Sequence, residues 1–412
     1  MKPLLSLCAW AVCVGTAAAA SSSPASWRVG TPIVTYWAGP PLTDATARQM
    51  AEGGWNLVWC RESELDVARR HGLRAQLHDA LLRPATLDNP ALRAKLDALI
   101  ARVKRHPALY SYFLRDEPNA TNFPALGRMV AYLRQRDPAH LAYINLFPTY
   151  ASNRQLGNAG DKVTAYRAHL RQYLEIVHPD LISYDHYQFA KRGDTPDYFL
   201  NLALIREAAL GAGLPFLNIV QACTWSPSMR VPTPDEMRYL VYTSVAYGAQ
   251  GISYYVYSHR GHTGGIARAD GTPTPLYHAL KKFNREFAAI AAQLQPLRSL
   301  GVYHAGMLPP GTKPLPKDHP FQLDPPPPTT EYQPLKPVRG VLLGCFGPAA
   351  NAAPTHVVVV NLDAHAPLTQ GVRGPGPLEL FDAAPGQWSA AKGARVELRL
   401  PPGGGRLLRV RR

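Results

Sequence analysis

The chain has 412 residues, and its 44 Lys and Arg against 29 Asp and Glu give a formal net charge of +15. The basic residues are scattered, and aromatic residues do not alternate with them, so the sequence gives no indication of a nucleic-acid-binding protein. After the N-terminal segment, no stretch holds about 18 consecutive apolar residues, which excludes a membrane span.

The N-terminal segment, residues 1–20, carries a lysine, an apolar core over residues 4–14 and a run of small residues at its end. This pattern is typical of a secretory signal peptide, and we expect cleavage near Ala20. Neither Cys8 nor Cys13 follows the small residue that a lipoprotein signal requires. The sequence therefore predicts export to the periplasm or to the medium.

From residue 31 to about residue 257, short apolar runs alternate with amphipathic stretches of helical period. The apolar runs show little alternation, as expected of parallel strands that are buried on both faces. In chain order they are PIVTYW, NLVWC, LRAQLH, LYSYFL, LAYINLF, LISYDHY, PFLNIV and GISYYVY. Eight strands with intervening helices predict an α/β fold, a (β/α)8 TIM barrel over residues 27–297. No Gly-rich phosphate turn follows an early strand, which argues against an open doubly wound sheet.

The composition changes after the helical, Ala- and Leu-rich stretch that ends near Leu297. Residues 298–337 are rich in proline, including the run DPPPPTTEY, and we predict an extended connecting segment there. Residues 338–412 contain short strand-like runs separated by turn residues. They predict a small C-terminal antiparallel β-sandwich.

The cysteines and histidines give no sign of a disulfide framework or a metal site. Cys60, Cys223 and Cys345 are widely spaced and odd in number, so we expect three buried thiols. No HxH or HExxH spacing joins the histidines, and the sequence predicts neither a metal nor another cofactor.

Chemically active side chains concentrate where the predicted barrel strands end. In TIM barrels the catalytic residues lie at these C-terminal strand ends and in the loops that follow. Carboxylates there supply acid and base groups, and aromatic rings stack on pyranose rings. The predicted substrate-binding residues are Tyr36, Trp37, Glu62, His78, Asp79, Asn145, Tyr184, His186, Tyr187, Gln221, Trp225 and Tyr257.

The sequence FLRDEP, at the end of the predicted fourth strand, resembles the clan-A glycoside hydrolases, whose barrels carry an acid/base glutamate there, often as Asn-Glu-Pro. A barrel followed by a small β-sandwich is also similar to many secreted glycosidases. The resemblance covers residues 30–290 and implies that Glu117 donates a proton to the leaving glycosidic oxygen. The adjacent Asp116 is expected to raise the pKa of Glu117 by like-charge repulsion.

The chain departs from the clan-A pattern at two positions. Asp116 stands where the asparagine usually precedes the glutamate, and Gln221 ends the predicted seventh strand, where the clan carries its nucleophilic glutamate. Glu236, the nearest acid downstream, falls in the first turn of a predicted helix. The usual pair of glutamates is therefore incomplete.

Three hypotheses remain open for the second catalytic group. In the first, Asp185 acts as nucleophile or base, oriented by Tyr184 and His186, and the carboxyl separation tells retention (about 5–5.5 Å) from inversion (about 6.5–9.5 Å). In the second, Asp116 and Glu117 act as in the substrate-assisted N-acetylhexosaminidases, with Asp116 orienting a 2-acetamido group. In the third, the barrel binds glycan without cleaving it. A protein of a different class, an exported structural or adhesion module with a vestigial site, is a separate alternative.

The prediction as a whole is an exported glycoside hydrolase that cleaves an O-glycosidic bond in an oligo- or polysaccharide. Glu117 is the general acid/base, and Asp185 or Asp116 is the second carboxylate. The expected partner is a carbohydrate, and the net charge leaves an acidic glycan compatible with this role. The oligomeric state is not predicted.

Overall fold

A computed structural model describes residues 31–411. The predicted signal peptide, residues 1–20, lies outside the described residues. From residue 33 to residue 294, parallel strands alternate with helices, so the predicted barrel is confirmed. The barrel strands are β1 (Ile33–Trp37), β2 (Leu57–Cys60), β3 (Arg74–Leu77), β4 (Leu109–Asp116), β5 (Leu141–Leu146), β6 (Ile182–His186), β7 (Phe216–Gln221) and β9 (Gly251–Tyr255), with the two-residue β8 (Cys223–Thr224) outside the barrel sheet.

The eight strands form one sheet in the order β1-β9-β7-β6-β5-β4-β3-β2, and every pairing in it is parallel. The first and last strands of this order are joined through Asn56, just before β2. Val34 donates to Asn56 Oδ1 at 3.0 Å, and Asn56 donates its backbone N–H to Val34 O at 3.0 Å. The Trp59 indole adds a bond to Tyr36 O at 2.7 Å. These bonds close the barrel.

The helices cover the outside of the barrel, and their starts carry capping residues. Asn89 caps the helix that begins at Pro90, and Thr233 forms a capping box with Glu236 in the helix that begins at Pro234, where proline suits the first turn. The helices are α1 (Asp44–Glu52), α2 (Leu65–Arg70), α3 (Pro90–Val103), α4 (Phe123–Arg136), α5 (Asn153–Leu156), α6 (Lys162–Gln172), α7 (Tyr198–Ala212), α8 (Pro234–Ala246) and α9 (Pro275–Leu294).

The inside of the barrel is a packed core. Alternate side chains of β5, β6 and β7 face the helices or the barrel axis, and all residues of these three strands are buried. The inner cluster consists of apolar side chains from five strands or their starts: Ile33, Leu57, Leu141, Tyr143, Leu181, Leu217 and Ile219. Because this core fills the barrel interior, a ligand site has to lie on its rim.

The C-terminal part is a β-sandwich, as predicted. The short strand β10 (Thr263–Gly264) precedes it and pairs with β8. The sandwich strands are β11 (Arg298–Gly306), β12 (Gln322–Leu323), β13 (Gly340–Gly347), β14 (His356–Asn361), β15 (Leu368–Arg373), β16 (Leu378–Asp382), β17 (Gln387–Ala390), β18 (Arg395–Leu400) and β19 (Gly405–Val410). One sheet has the order β11-β13-β14-β19-β16-β17, and the other has the order β12-β15-β18.

The boundary of the sandwich differs from the predicted one. The strands β11 and β12 lie within residues 298–337, which the proline content marked as a connecting segment. β11 pairs with β13 along its length, so it already belongs to the sandwich. Proline is confined to the stretches around β12, and its density there hid the strand that precedes it.

The sandwich packs against the barrel through one shared apolar core, in which Leu342, Phe346 and Val358 join the barrel cluster. Arg238 of α8 also donates to Pro402 O at 2.7 Å. Cys60 and Cys223 of the barrel and Cys345 of the sandwich are buried free thiols. In residues 31–411 no helix is long and apolar enough to cross a membrane, and no group of three or more His, Cys, Asp or Glu is placed to hold a metal ion.

Candidate active site

Glu117 follows the last residue of β4 and lies half-buried on the barrel rim. Its backbone adopts the left-handed conformation, with φ of +41°, which is strained for a residue with a side chain. The Glu117 N–H donates to Asn145 O at 2.9 Å, so β5 holds this turn in place. Strain that neighbouring bonds maintain is characteristic of residues placed for function.

Asn145, the fifth residue of β5, connects two further carboxylates of the rim. Its Nδ2 donates to Asp116 Oδ1 at 3.0 Å and to Asp185 Oδ1 at 2.8 Å. Ser183 Oγ donates to Asn145 Oδ1 at 3.1 Å, and the Tyr143 hydroxyl lies 2.7 Å from Ser183 Oγ. This buried chain of bonds fixes the Asn145 amide with its nitrogen toward the two acids.

Glu117 and Asp185 form a pair of carboxyl groups within hydrogen-bonding reach of each other. Two carboxyl groups can bond only if one of them keeps a proton, and Asp185 Oδ2 is buried with no donor group of the described residues bonded to it. Burial, and then the charge of Asp116, raises the pKa of Glu117 to about 7. Burial, and then the charge of Glu117, also raises the pKa of Asp185 well above its usual range. At neutral pH the pair therefore retains a proton.

Asp116 lies beside this pair but faces outward. Part of the residue is exposed on the rim, but protein atoms surround its carboxyl group. This burial raises the pKa of the Asp116 carboxyl group. The bond from Asn145 and the charge of Arg115 oppose the increase. Three carboxyl groups thus lie together, and among residues 31–411 the cation whose charge acts on Asp116, the outermost of them, is Arg115.

Aromatic rings surround the carboxyl pair on the side of β6 to β9. Tyr150 and Trp225 are 44% and 40% exposed, whereas most aromatic rings of the described barrel are buried. Trp225 contacts Tyr187 and Tyr255, with ring centroids 4.9 and 5.0 Å apart. The Tyr150 hydroxyl lies among protein, where burial, and then the Asp185 charge, raises its pKa. Exposed rings beside carboxylates suit the binding of sugar rings.

A second aromatic group lies on the side of β1 to β4. Trp37, Trp59 and Phe113 form a mutual cluster with centroids 4.7 to 5.6 Å apart, and His78 lies 6.0 Å from Trp59. Next to it an open groove of about 1220 Å³ extends from Asp116 across the ends of β4, β3 and β2. A smaller cavity of about 360 Å³ lies at the opposite end of the barrel, near Phe216 and Phe346, and is not part of this site.

Several residues predicted to bind substrate lie elsewhere. Tyr36, Tyr184 and Tyr257 have at most 1% exposure and pack between the strands and the helices, so the prediction of substrate contacts is wrong for them. Tyr257, for instance, donates to Gln49 of α1 at 2.7 Å. Strand alternation sends Tyr36 and Tyr184 outward from the barrel axis, and their neighbours Trp37 and Asp185 inward.

His186 and Gln221 are also structural. His186 is buried, its Nδ1 lies 3.0 Å from Asn201 Oδ1, and burial lowers its pKa to about 4. It touches the Tyr150 ring but not the carboxyl pair. Gln221 accepts from Phe189 N at 2.8 Å and donates to Arg230 O at 2.7 Å. Gln221 therefore links the loop after β6, which contains Phe189, to the loop before α8, which contains Arg230. Its side chain supplies no group to the rim.

The remaining predicted residues reach the rim or the groove. Asn145, Trp37, Tyr187 and Trp225 adjoin the carboxyl pair or the aromatic groups described above. Glu62, His78 and Asp79 line the groove.

Two aromatic residues that the sequence did not assign to the substrate site belong to the same rim: Tyr150 and Tyr255. Tyr255 is the last residue of β9, whereas the predicted strand ran two residues further and placed Tyr257 at the rim. Tyr150 follows β5 within the loop FPTY, and its position after a predicted strand end is the signal that marks it.

Comparison with known proteins relates this barrel to glycoside hydrolases. Residues 166–290 match the model of glycoside hydrolase family 42, described as beta-galactosidase, and this part runs from α6 into α9. No curated protein matches the sequence.

Solved structures share the fold. A family 42 beta-galactosidase from G. stearothermophilus superposes with a TM-score of 0.57 at 11% identity, over 93% of this chain and 98% of that one. A family 5 glycoside hydrolase from Bacteroides vulgatus gives a TM-score of 0.53 at 11% identity, over 92% and 88% of the two chains. A beta-galactosidase from Marinomonas ef1 gives 0.47 at 13% identity and covers 67% of this chain, which spans 63% of that enzyme. The partial family match and the shared barrel support a clan-A-like glycoside hydrolase.

Proposed function

We propose that the protein hydrolyses an O-glycosidic bond in an oligo- or polysaccharide, with Glu117 as general acid/base. The observation that supports this most directly is the pairing of the Glu117 and Asp185 carboxyl groups on the barrel rim, where burial raises the pKa of Glu117 to about 7. A glycosidase acid has to be protonated when substrate binds, and a raised pKa provides this state. The exposed rings of Tyr150 and Trp225 lie on the same rim.

Asp185 is the second carboxylate in this proposal. When Glu117 gives its proton to the leaving oxygen, both carboxyl groups become negative, and the positive charge that develops at the anomeric carbon offsets them. Asp185 then attacks that carbon and forms a glycosyl-enzyme intermediate, which water hydrolyses with Glu117 as base. Asn145 holds Asp185 Oδ1 and orients the carboxylate for this step.

The contact between the two carboxyl groups argues against inversion. Inverting enzymes separate their carboxyl groups by about 6.5–9.5 Å to admit a water molecule, whereas retaining pairs stand about 5–5.5 Å apart. Glu117 and Asp185 lie within hydrogen-bonding reach of each other, which is nearer to the retaining arrangement than to the inverting one.

The same contact favours a second candidate function, a substrate-assisted N-acetylhexosaminidase. In that reaction the acetamido oxygen of the substrate attacks the anomeric carbon, so no protein carboxylate has to stand at the retaining distance. Asp116, next to Glu117 and held by Asn145, would orient the acetamido group. The absence of a glutamate at the end of β7 fits this route as well as the first.

Aryl glycosides separate the two routes. Because the family model is described as beta-galactosidase, 2-hydroxy β-galactosides are the first substrates, with 2-acetamido analogues beside them. Hydrolysis of 2-hydroxy substrates by the wild type, with retention of the anomeric form by NMR, supports the Asp185 route. Hydrolysis of 2-acetamido substrates alone supports the substrate-assisted route. If neither class, in both anomeric forms, is hydrolysed, the proposed function fails.

We also propose that the protein is exported, on the strength of the signal-peptide pattern in residues 1–20. Fractionation of cells that express the full chain, with and without these residues, checks this. Export predicts the shortened mature form outside the cytoplasm, and retention of the full-length form inside contradicts it.

A further inference from the structure

We infer that a cavity at the base of the barrel binds a small sugar acid, a molecule with one carboxylate and several hydroxyl groups. This cavity, called the base cavity from here on, has a volume of about 360 Å³ and lies at the end of the barrel opposite to Glu117. Its walls come from the ends of α7, α8 and α9, the starts of β7 and β11, and the end of β13. The site is separate from the rim, so the inference does not depend on the proposed function.

Two arginines line the base cavity, and no Asp or Glu does. Arg206 of α7 is half-buried, and its Nε and Nη2 donate to Ser299 Oγ at 2.8 Å and to Ser299 O at 3.0 Å. Arg298, the first residue of β11, donates from Nη2 to Leu210 O at 3.2 Å. Among residues 31–411 neither guanidinium group has a carboxylate within ion-pair distance. Their protein partners are therefore neutral acceptors.

The positive charges of the base cavity lack a full counter-charge. Burial lowers the pKa of Arg206, and the charge of Arg298 adds to this effect. The carbonyl groups at the ends of three helices carry a partial negative charge of about half a unit per helix, which falls short of two full positive charges. Guanidinium groups bind carboxylates through paired N–H donors. The balance of charge suits a ligand with a single negative charge better than a phosphate dianion.

Two amide groups on the wall of the base cavity lack hydrogen-bond partners. Gln250, just before β9, is 8% exposed, and no donor of the described residues reaches its Oε1. Gln295 follows α9, and its buried Nε2 likewise has no acceptor in that part of the chain. Buried polar atoms are nearly always hydrogen-bonded, so these two groups call for a partner in the cavity. Hydroxyl groups can donate to Gln250 Oε1 and accept from Gln295 Nε2.

The size and the apolar walls of the base cavity suit a molecule as large as a monosaccharide. Its volume is near the lower limit of the roughly 300–1,000 Å³ of small-molecule sites. Phe216, Tyr247 and Phe346 supply ring surface, on which the carbon atoms of a sugar can pack. A neutral sugar would leave the arginines without a counter-charge, and a simple carboxylate such as acetate would leave the amides unpaired. A sugar acid satisfies both sets of groups.

Titration calorimetry on the purified protein tests the inference, with D-glucuronate and D-gluconate as the sugar acids. D-glucose offers hydroxyl groups without charge, acetate offers charge without hydroxyl groups, and inorganic phosphate offers a compact dianion. Arg298→Gln and Gln250→Leu alter the base cavity. Arg285→Gln is the matched control, because this exposed arginine of α9 also donates to a backbone carbonyl, Glu52 O at 2.7 Å, outside the cavity. Trp225→Ala detects binding at the rim instead.

We expect at least one sugar acid to bind about tenfold or more tightly than glucose, acetate or phosphate. Arg298→Gln and Gln250→Leu should each weaken that binding about tenfold, as expected for one hydrogen bond to a charged or buried group. Both variants should keep the melting temperature of the ligand-free wild type, since Arg298 is exposed and the Gln250 amide oxygen is unpaired. Arg285→Gln and Trp225→Ala should leave the affinity unchanged.

Three results would overturn the inference. The first is that neither sugar acid binds to the wild type, and the second is that glucose, acetate or phosphate binds as tightly as the better sugar acid. The third is a loss of affinity in Trp225→Ala or Arg285→Gln as large as in the cavity variants, since it would place the ligand at the rim or reflect a general change in charge.

Discussion

Two glutamates of this barrel, the half-buried Glu117 after β4 and the buried Glu236 in the first turn of α8, show how environment separates a reactive acid from a structural one. Burial alone would raise the pKa of Glu236, but Arg230 donates to both of its oxygens at 2.6 and 2.7 Å, and Thr233 N donates at 2.7 Å. Together these bonds lower its pKa. In the described part of the chain no cation pairs with Glu117, which faces Asp185 instead.

The difference teaches that the partner of a buried acid decides its chemistry. An ion-paired carboxylate such as Glu236 stays charged and stabilises the fold where it stands, and its loss removes the stronger of the two ion pairs of Arg230. A carboxyl group beside other carboxyl groups keeps its proton and costs stability when it ionises. The following predictions sharpen this contrast, from the largest expected effect to the smallest.

Replacing the proton donor should have the largest effect. Glu117→Gln removes the ionisable group and preserves its shape, so kcat on the best aryl glycoside should fall by about 10² to 10⁴, the usual contribution of a general acid. The control is Glu207→Gln, an exposed residue of α7 that pairs with Arg167 outside the site. Activity of Glu117→Gln within tenfold of wild type would contradict the assignment.

Replacing the structural glutamate should instead cost stability. Glu236→Gln removes the two-oxygen partner of the partly buried Arg230 and leaves it only Asp194, and we expect a loss of about 3 kcal/mol in the free energy of unfolding at pH 7. Urea denaturation measures this loss. An unchanged midpoint would show that Asp194, 3.1 Å from Arg230, is a sufficient partner by itself.

The same substitution at Glu117 should act in the opposite direction. With a pKa raised from 4.5 to about 7 in the folded state, Glu117 holds its proton where the unfolded chain has lost it, so the wild type loses stability as pH rises from about 4.5 to 7. At pH 8 this loss is at most about 3 kcal/mol, since each pKa unit corresponds to about 1.36 kcal/mol. Glu117→Gln should therefore be more stable than wild type at pH 8 and similar to it at pH 4. A constant difference at both values would contradict the raised pKa.

The smallest expected effect concerns the aromatic rim. Trp225→Ala removes an exposed ring that contacts Tyr187 and Tyr255, and the loss of about 1 kcal/mol of stacking should raise KM about fivefold with little change in kcat. Steady-state kinetics on the substrate of the first prediction measures both constants. A fall in kcat at constant KM would place Trp225 in the chemical step instead.

Much of the fold was predictable because it follows from local patterns. Eight apolar runs between helical stretches gave the barrel, and the placement of Glu117 after the fourth strand followed from the barrel rule. The start of the sandwich at β11 was missed because the proline-rich sequence that follows β11 dominates the composition there.

The site was less predictable, since its chemistry depends on contacts between strands. The sequence identified Asp185 and Asn145 as rim residues, but not the hydrogen bond that joins them or the contact of Asp185 with Glu117. It also placed Tyr36 and Tyr184 at the rim, although strand alternation sends them to the helices. A shift of one residue in a strand exchanges the two faces, and sequence alone does not fix that register.

The protonation of Glu117 is the central claim, and carbon-13 NMR of protein labelled at the glutamate carboxyl carbons tests it without any substrate. Signals missing in Glu117→Gln and Glu236→Gln assign the two resonances. We predict that Glu117 titrates with an apparent pKa of about 7 and that Glu236 titrates below 4.5, its usual value. Titration of Glu117 at or below 4.5 would contradict the account.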